Sequence, residues 1–205
     1  GYSVFRQSVA GHDVVFVIDH GPLGYLSIAA HGHADALSVW MHVDGQPVFI
    51  DAGTYLYHAG GADRDRFRGT GAHNTLLLNN TDQSTIVGAF NWSHKAKSWR
   101  LLADGGDNTV IARHDGYQKA FGVVHERQVT ASGPGFVISD RLVGAQTAVS
   151  EIRLHYYLDP SIVPRLDSDG AVTLLRNGKT IVALALCSAA GEVLTPELVE
   201  TEVSP

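Results

Sequence analysis

Sulfur is nearly missing from this chain, which has one cysteine and one methionine in 205 residues. A single thiol, Cys187, excludes an internal disulfide, and its place in the apolar run TIVALALC predicts a buried, inert side chain. Long hydrophobic runs are missing too. The longest, such as Ile181 to Cys187, fall far short of the roughly 18 residues a membrane helix needs, so no membrane span is expected. Clustered positive charge is absent: the net charge is -6, and Lys and Arg are scattered, which leaves no electrostatic footprint for nucleic acid. An acidic polymer would have to use a local basic patch. The opening GYSVFRQSVA has neither a charged start nor an apolar stretch, so it is not a signal peptide, and Ser3 to Ala10 already reads as a strand. The sequence is therefore expected to be a piece of a longer protein, with any export signal outside it.

What is present is a core-forming composition, 44% hydrophobic and 18% charged, and an excess of imidazole, with 11 histidines. Apolar spacing at i, i+3, i+4 does not persist beyond two turns, whereas short β-branched and aromatic segments recur between Gly, Asn and Asp. The expected strands are Asp13 to Asp19, Ala36 to Val43, Pro47 to Asp51, Asn74 to Leu78, Ser98 to Ala103, Thr109 to His114, Phe121 to Thr130, Phe136 to Leu142, Glu151 to Leu158, Val172 to Leu175 and Thr180 to Leu186. About a dozen strands predict an all-β chain, a two-sheet antiparallel β-sandwich. Hairpin turns are expected at Asp44-Gly45, Gly105-Gly106, Gly133 to Gly135 and Asn177-Gly178. With no composition break, one domain over residues 1–205 is expected, ending in a fraying tail after Pro196. Gly53 to Ala72 is the longest irregular stretch, and loops of that length are usually functional.

Five of the histidines fall between Ala29 and Ser84. A two-residue turn at Asp44-Gly45 pairs Val43 with Gln46, and that register sets Asp51 opposite Ser38, near His33. His73 opens the segment HNTLLLN, which the long loop can return to the same end of the sheet. His33, Asp51 and His73 then form a two-imidazole, one-carboxylate set that suits zinc, copper or iron. The alternative is that the histidines cap loop ends while Asp51 accepts backbone N–H groups in the DAGT turn.

The blocks HGHADALS, DAGTYLY and RDRFRGTGAHNTLLLNNTDQS, in this order, resemble the C-terminal β-sandwich, of super-sandwich type, of the heparinase II/III-like polysaccharide lyases, which include heparinases and alginate lyases. The resemblance implies Zn²⁺ held by His33, Asp51 and His73, and a catalytic role in the substrate cleft for His31. It implies β-elimination on a uronic-acid polysaccharide, either a glycosaminoglycan or alginate. Its remaining catalytic groups would stand on an N-terminal α/α toroid that this sequence lacks, so the isolated piece is expected to be inactive. A periplasmic or secreted parent is implied as well.

Several neighbours have two readings. Asp35 either orients an imidazole or caps a turn. Tyr55 and Tyr57 offer aromatic faces to sugar rings or pack under the loop. Arg68 is the preferred substrate-binding cation, while Arg64 and Arg66 sit among Asp63 and Asp65 and read equally well as internal ion pairs. Two other classes compete. A cupin-like metal enzyme would show a Glu shortly after HxH and a PxG before the last His, and neither is present. A non-catalytic carbohydrate-binding or structural module remains the reading for the isolated piece.

Overall fold

Val14, Phe16 and Ile18 are buried while their neighbours stay more open, and this period-two alternation makes β2 (His12–Asp19) a central strand. In the computed structural model, residues 1–25, 27–57, 60–102, 106–145 and 149–199 are described. Strand β2 pairs antiparallel with β1 (Tyr2–Val9) and with β3 (Val39–Val43), and β3 turns into β4 (Gln46–Phe49). Asp44 and Gly45 take φ of 51° and 73°, as a two-residue type I′ turn requires. A second four-stranded sheet runs β11-β10-β9-β8, from β8 (Ser98–Leu101), β9 (Thr109–His114), β10 (Val123–Ser132) and β11 (Gly135–Gly144). The two sheets meet where Phe136 of β11 stacks on Phe16 at 4.7 Å and meets Phe5 edge-on at 5.9 Å.

Two-stranded ladders complete this part: β5 (Leu76–Leu78) with β12 (Ile152–Leu154), and β6 (Thr85–Gly88) with β7 (Asn91–His94). The chain divides into two compact units at Tyr157/Leu158. The second unit carries β13 (Val163–Leu166), β14 (Val172–Arg176) and β15 (Lys179–Leu184), with Asn177 and Gly178 both at positive φ in the last hairpin.

The protein is thus all-β, a sandwich built from antiparallel pairs. Its fifteen described strands form five sheets, where about a dozen strands in two sheets are expected from the sequence. Ala36 to Ser38 precede β3, Phe121 belongs to a short helix α2 (Gln118–Phe121), and only Ile152–Leu154 of the Glu151 to Leu158 segment is strand. Ala103, Gly105 and residues 200–205 lie outside the described residues, and with them the Gly105-Gly106 turn and the end of the expected tail. Cys187 is corrected: it is exposed, because the chain leaves β15 at Leu184 and only bridges to Val193.

The stretch Gly53 to Ala72 is also corrected, since it contains helix α1 (Gly61–Arg68). Phe67 is the one large apolar residue in GADRDRFR, so no apolar stripe marks the helix in the sequence. Its internal pairing is by charge, with Asp63 3.9 Å from Arg66 and Asp65 3.5 Å from Arg68.

A polar network lies inside the sandwich. Gly116 N–H donates to His114 Nδ1 (3.2 Å), His114 Nε2 donates to His125 Nδ1 (3.1 Å), and His125 Nε2 donates to Asp140 Oδ1 (2.6 Å). This chain of bonds needs both imidazoles neutral, and burial lowers both pKa values below the ordinary 6.5. The unfolded chain therefore takes up protons first as pH falls, and stability drops below pH 6.5, each histidine contributing up to about 1.4 kcal/mol per pH unit. Urea denaturation at pH 7 and pH 5 should show the loss, and His125→Gln should flatten the dependence. An unaltered slope in that variant would remove His125 as its source.

Candidate functional site

Three segments separated in sequence deliver His33, Asp51 and His73 to one point, and one ligand atom from each lies within 4.8 Å of the others. The HGH segment is held from below. Ala29 and Ala34 pack with Trp92, Leu23 and Ile86, Trp92 Nε1 donates to Ala29 O (3.1 Å), and Ala34 N donates to Arg68 O (2.8 Å). Gly32 is required by space: a Cβ there would lie 3.0 Å from Gly24 N and 3.1 Å from Gly24 Cα, because the two backbones touch.

Asp51 follows β4. A register shift between Met41 and His42 pairs Met41 with Phe49, so the uniform register that set Asp51 opposite Ser38 does not hold. Its Oδ1 accepts Gly53 N–H (2.8 Å) in an Asx turn, and its Oδ2 lies 2.6 Å from His73 Nδ1. The turn cap thus uses one oxygen of Asp51 and the contact with His73 the other.

His73 is fully buried at the end of a 3₁₀ turn, Thr70–Ala72. The next residue, Asn74, ties the site together. Its Nδ2 donates to Val39 O (2.8 Å) and Ile50 O (2.7 Å), its Oδ1 accepts Tyr157 N–H (2.6 Å), and its backbone N–H reaches Ser38 Oγ (3.1 Å). One amide therefore fixes the backbone beside both Asp51 and His73. Gln83 adds a brace, with its N–H on Thr70 Oγ1 (2.9 Å) and its Nε2 on Ala36 O (3.1 Å).

Burial, followed by the charge of His73, holds the His33 pKa down to about 4, so this imidazole is neutral at pH 7 and available as a ligand. Burial pushes the other way on His73, but its hydrogen bond to Asp51 and nearby carboxylates raise its pKa, while Asp51 is lowered in return against its own burial. Asp35 is pushed up to about 7, first by burial. His73 Nε2 is buried without a hydrogen-bond partner among the described residues, so the ring's polar demand is unmet. The 2.6 Å contact between His73 Nδ1 and Asp51 Oδ2 is a hydrogen bond with one proton between them. Two donors on one tetrahedral metal stand roughly 3.3–3.6 Å apart, so a cation replacing that proton would part the pair by no more than about 1 Å. The donor set fits a divalent metal.

Beside this cluster a cleft of about 280 Å³ is lined by His31, His33, Thr54, Tyr55, Tyr57 and Arg64. His31 is exposed, stacks on Tyr57 at 5.3 Å and meets Phe90 edge-on at 5.8 Å, with Nε2 3.5 Å from Tyr57 Oη. Tyr55 stacks on Phe67 of α1 at 5.3 Å yet stays 40% exposed, so it both packs and lines the cleft.

Arg68 is corrected. It has no exposed surface, and its Nη1 donates to Ala89 O (2.5 Å) and Gly88 O (3.2 Å), so a polymer cannot touch it directly. Helix α1 turns Arg68 inward and sets Arg64 at the cleft, a distinction the spacing in DRDRFR leaves open. Asn74, Gln83 and Phe90 carry no such assignment in the sequence. Asn74 and Gln83 stand within the AHN and TDQS blocks, which was the available signal; Phe90 had none.

An all-β sandwich with a His₂Asp cluster defines a protein with a metal-capable site at the edge of an aromatic-lined cleft. The chain belongs to the heparinase II/III-like C-terminal family, whose model matches residues 1–205. A heparinase III, the BT4657 gene product, is 25% identical with a TM-score of 0.63 over 84% of this chain and 25% of its own. The heparan sulfate lyase HepC from Pedobacter heparinus is 22% identical with a TM-score of 0.65, over 86% of this chain and 26% of its own. The chain thus spans about a quarter of the length of these structures. A search among curated proteins finds no match. Among the described residues no helix is long and apolar enough to cross a membrane.

Proposed function

We propose that this chain is the C-terminal β-sandwich of a polysaccharide lyase that cleaves uronic-acid polymers by β-elimination. In this reading His33, Asp51 and His73 hold Zn²⁺, and His31 works in the cleft. The observation that carries it is the convergence of the HGH, DAG and AHN blocks within 4.8 Å, beside a cleft lined by His31 and two tyrosines, in a chain of this family. Bound zinc supplies a fixed positive centre joining three loops.

In the reaction a base removes the proton at C5, and the C4–O bond breaks with its electrons leaving on the glycosidic oxygen. That oxygen takes a proton from an acid, a C4–C5 double bond forms, and no water is added. His31 presents Nε2 next to Tyr57 Oη, where it can hold or pass one proton. The rest of the machinery comes from an N-terminal α/α toroid of the parent chain, a periplasmic or secreted protein. The exposed Tyr55 and Tyr57 favour a second reading, a carbohydrate-binding module, for this chain in isolation.

The test is ultraviolet detection of unsaturated uronate from heparan sulfate, alginate and other polyuronates. The parent protein should generate product, and this chain alone should not, because an open cleft lets water compete for each catalytic hydrogen bond. His31→Ala in the parent should lower kcat by about 10²–10⁴-fold with metal content and melting temperature unchanged. Robust product from the isolated chain would end the divided-site reading.

A further inference from the structure

Two arginine side chains of α1 converge on one backbone carbonyl beside the cleft. Arg64 Nη1 and Arg68 Nη1 both donate to Ala89 O, between β6 and β7. Arg64 is only 2% exposed and Arg68 not at all. Each guanidinium lies over an aromatic ring, Arg64 over Phe90 at 4.8 Å and Arg68 over Trp92 at 4.7 Å.

Compensation for these charges is poor. Among the described residues Arg68 has one carboxylate, Asp65, at 3.5 Å, and its Nε and Nη2 are buried without hydrogen-bond partners. Arg64 has no carboxylate within 4.0 Å among the described residues, and it donates to the carbonyls of Tyr57 and Ala89. Among the described residues lining the cleft none is acidic, in a chain whose net charge is -6. Buried positive charge without a counterion is costly, and an incoming oxyanion relieves that cost. The two carbonyls fix the guanidinium by Nε and Nη1, and Arg64 lines the cleft, so its other terminal nitrogen is available to such a ligand.

We propose that Arg64, backed by the buried charge of Arg68, is the anion-reading residue of this cleft and takes the carboxylate or sulfate of an acidic sugar whose ring lies against the exposed face of Tyr57. The proposal rests on the reading of the cleft as a saccharide site, but not on the metal or on turnover.

Binding of methyl glucuronide, methyl glucoside 6-sulfate and neutral methyl glucoside to the full 205-residue chain, followed by NMR titration, tests it. The wild type should favour at least one anionic sugar over the neutral one by about 10-fold. The two anionic arms distinguish carboxylate from sulfate. Arg64→Gln should bring the ratio near one with affinity for the neutral sugar retained. Arg64→Lys, which keeps the charge but loses the fork, should retain part of it. Arg66→Gln, at an exposed residue paired with Asp63, should leave the ratio intact. No anionic preference in the wild type, or a wild-type ratio in folded Arg64→Gln or Arg64→Lys, would overturn the proposal. A parent protein without lyase activity but with an Arg64-dependent ratio would sink the lyase reading and leave this one standing.

Discussion

Arg127→Leu should destabilise the protein by about 3–5 kcal/mol, the cost of breaking a buried ion pair from one side. Arg127 is fully buried on β10, and its Nε and Nη2 grip Asp140 Oδ1 and Oδ2 at 2.8 and 3.0 Å. Its Nη1 donates to Leu37 O and Asn74 O, both at 2.8 Å, so it joins the second sheet to the HGH and AHN segments. Removing the guanidinium strands a buried carboxylate, whose pKa its partner holds well below the usual range against the pull of burial. The variant should have a lower urea midpoint, and the double variant Arg127→Leu/Asp140→Leu should recover part of the loss because no unpaired charge remains. A double variant no more stable than Arg127→Leu would show that the lost bonds to the backbone carbonyls, not the stranded carboxylate, carry the effect.

His73→Ala should abolish zinc binding, a larger effect than the roughly 10- to 100-fold loss typical of an outer partner. Wild-type protein should hold close to one zinc per chain by elemental analysis, and a strong chelator should lower its melting temperature. The variant should hold none and melt identically with and without chelator. The pH dependence follows from competition with protons. Because the His73 pKa is raised, in part by its hydrogen bond to Asp51, affinity should be greatest above that pKa and fall as pH drops through it. His33, already neutral down to about pH 4, adds little to this dependence near neutrality. A variant that keeps stoichiometric zinc would remove His73 from the ligand set.

The sequence by itself determined the all-β class, because alternation in HDVVFVID and the hairpin residues Asp44-Gly45 and Asn177-Gly178 are local signals with local causes. It also marked the three blocks that meet at the cluster. Tertiary structure decided the rest. Helix α1 has no apolar stripe to read, and its i,i+3 charge pairs look the same in a loop. Which arginine of DRDRFR lines the cleft depends on the rotation of that helix against the β6–β7 hairpin, some twenty residues away. The register shift in β3–β4 leaves no mark that composition would reveal. Asn74 and Arg127, the residues that hold the site's backbone, act through partners 24 to 83 positions away for the one and 53 to 90 for its site contacts for the other. A buried amide or guanidinium is committed by the carbonyls that surround it after folding, and those neighbours are set by the packing of the two sheets rather than by any pattern along the chain.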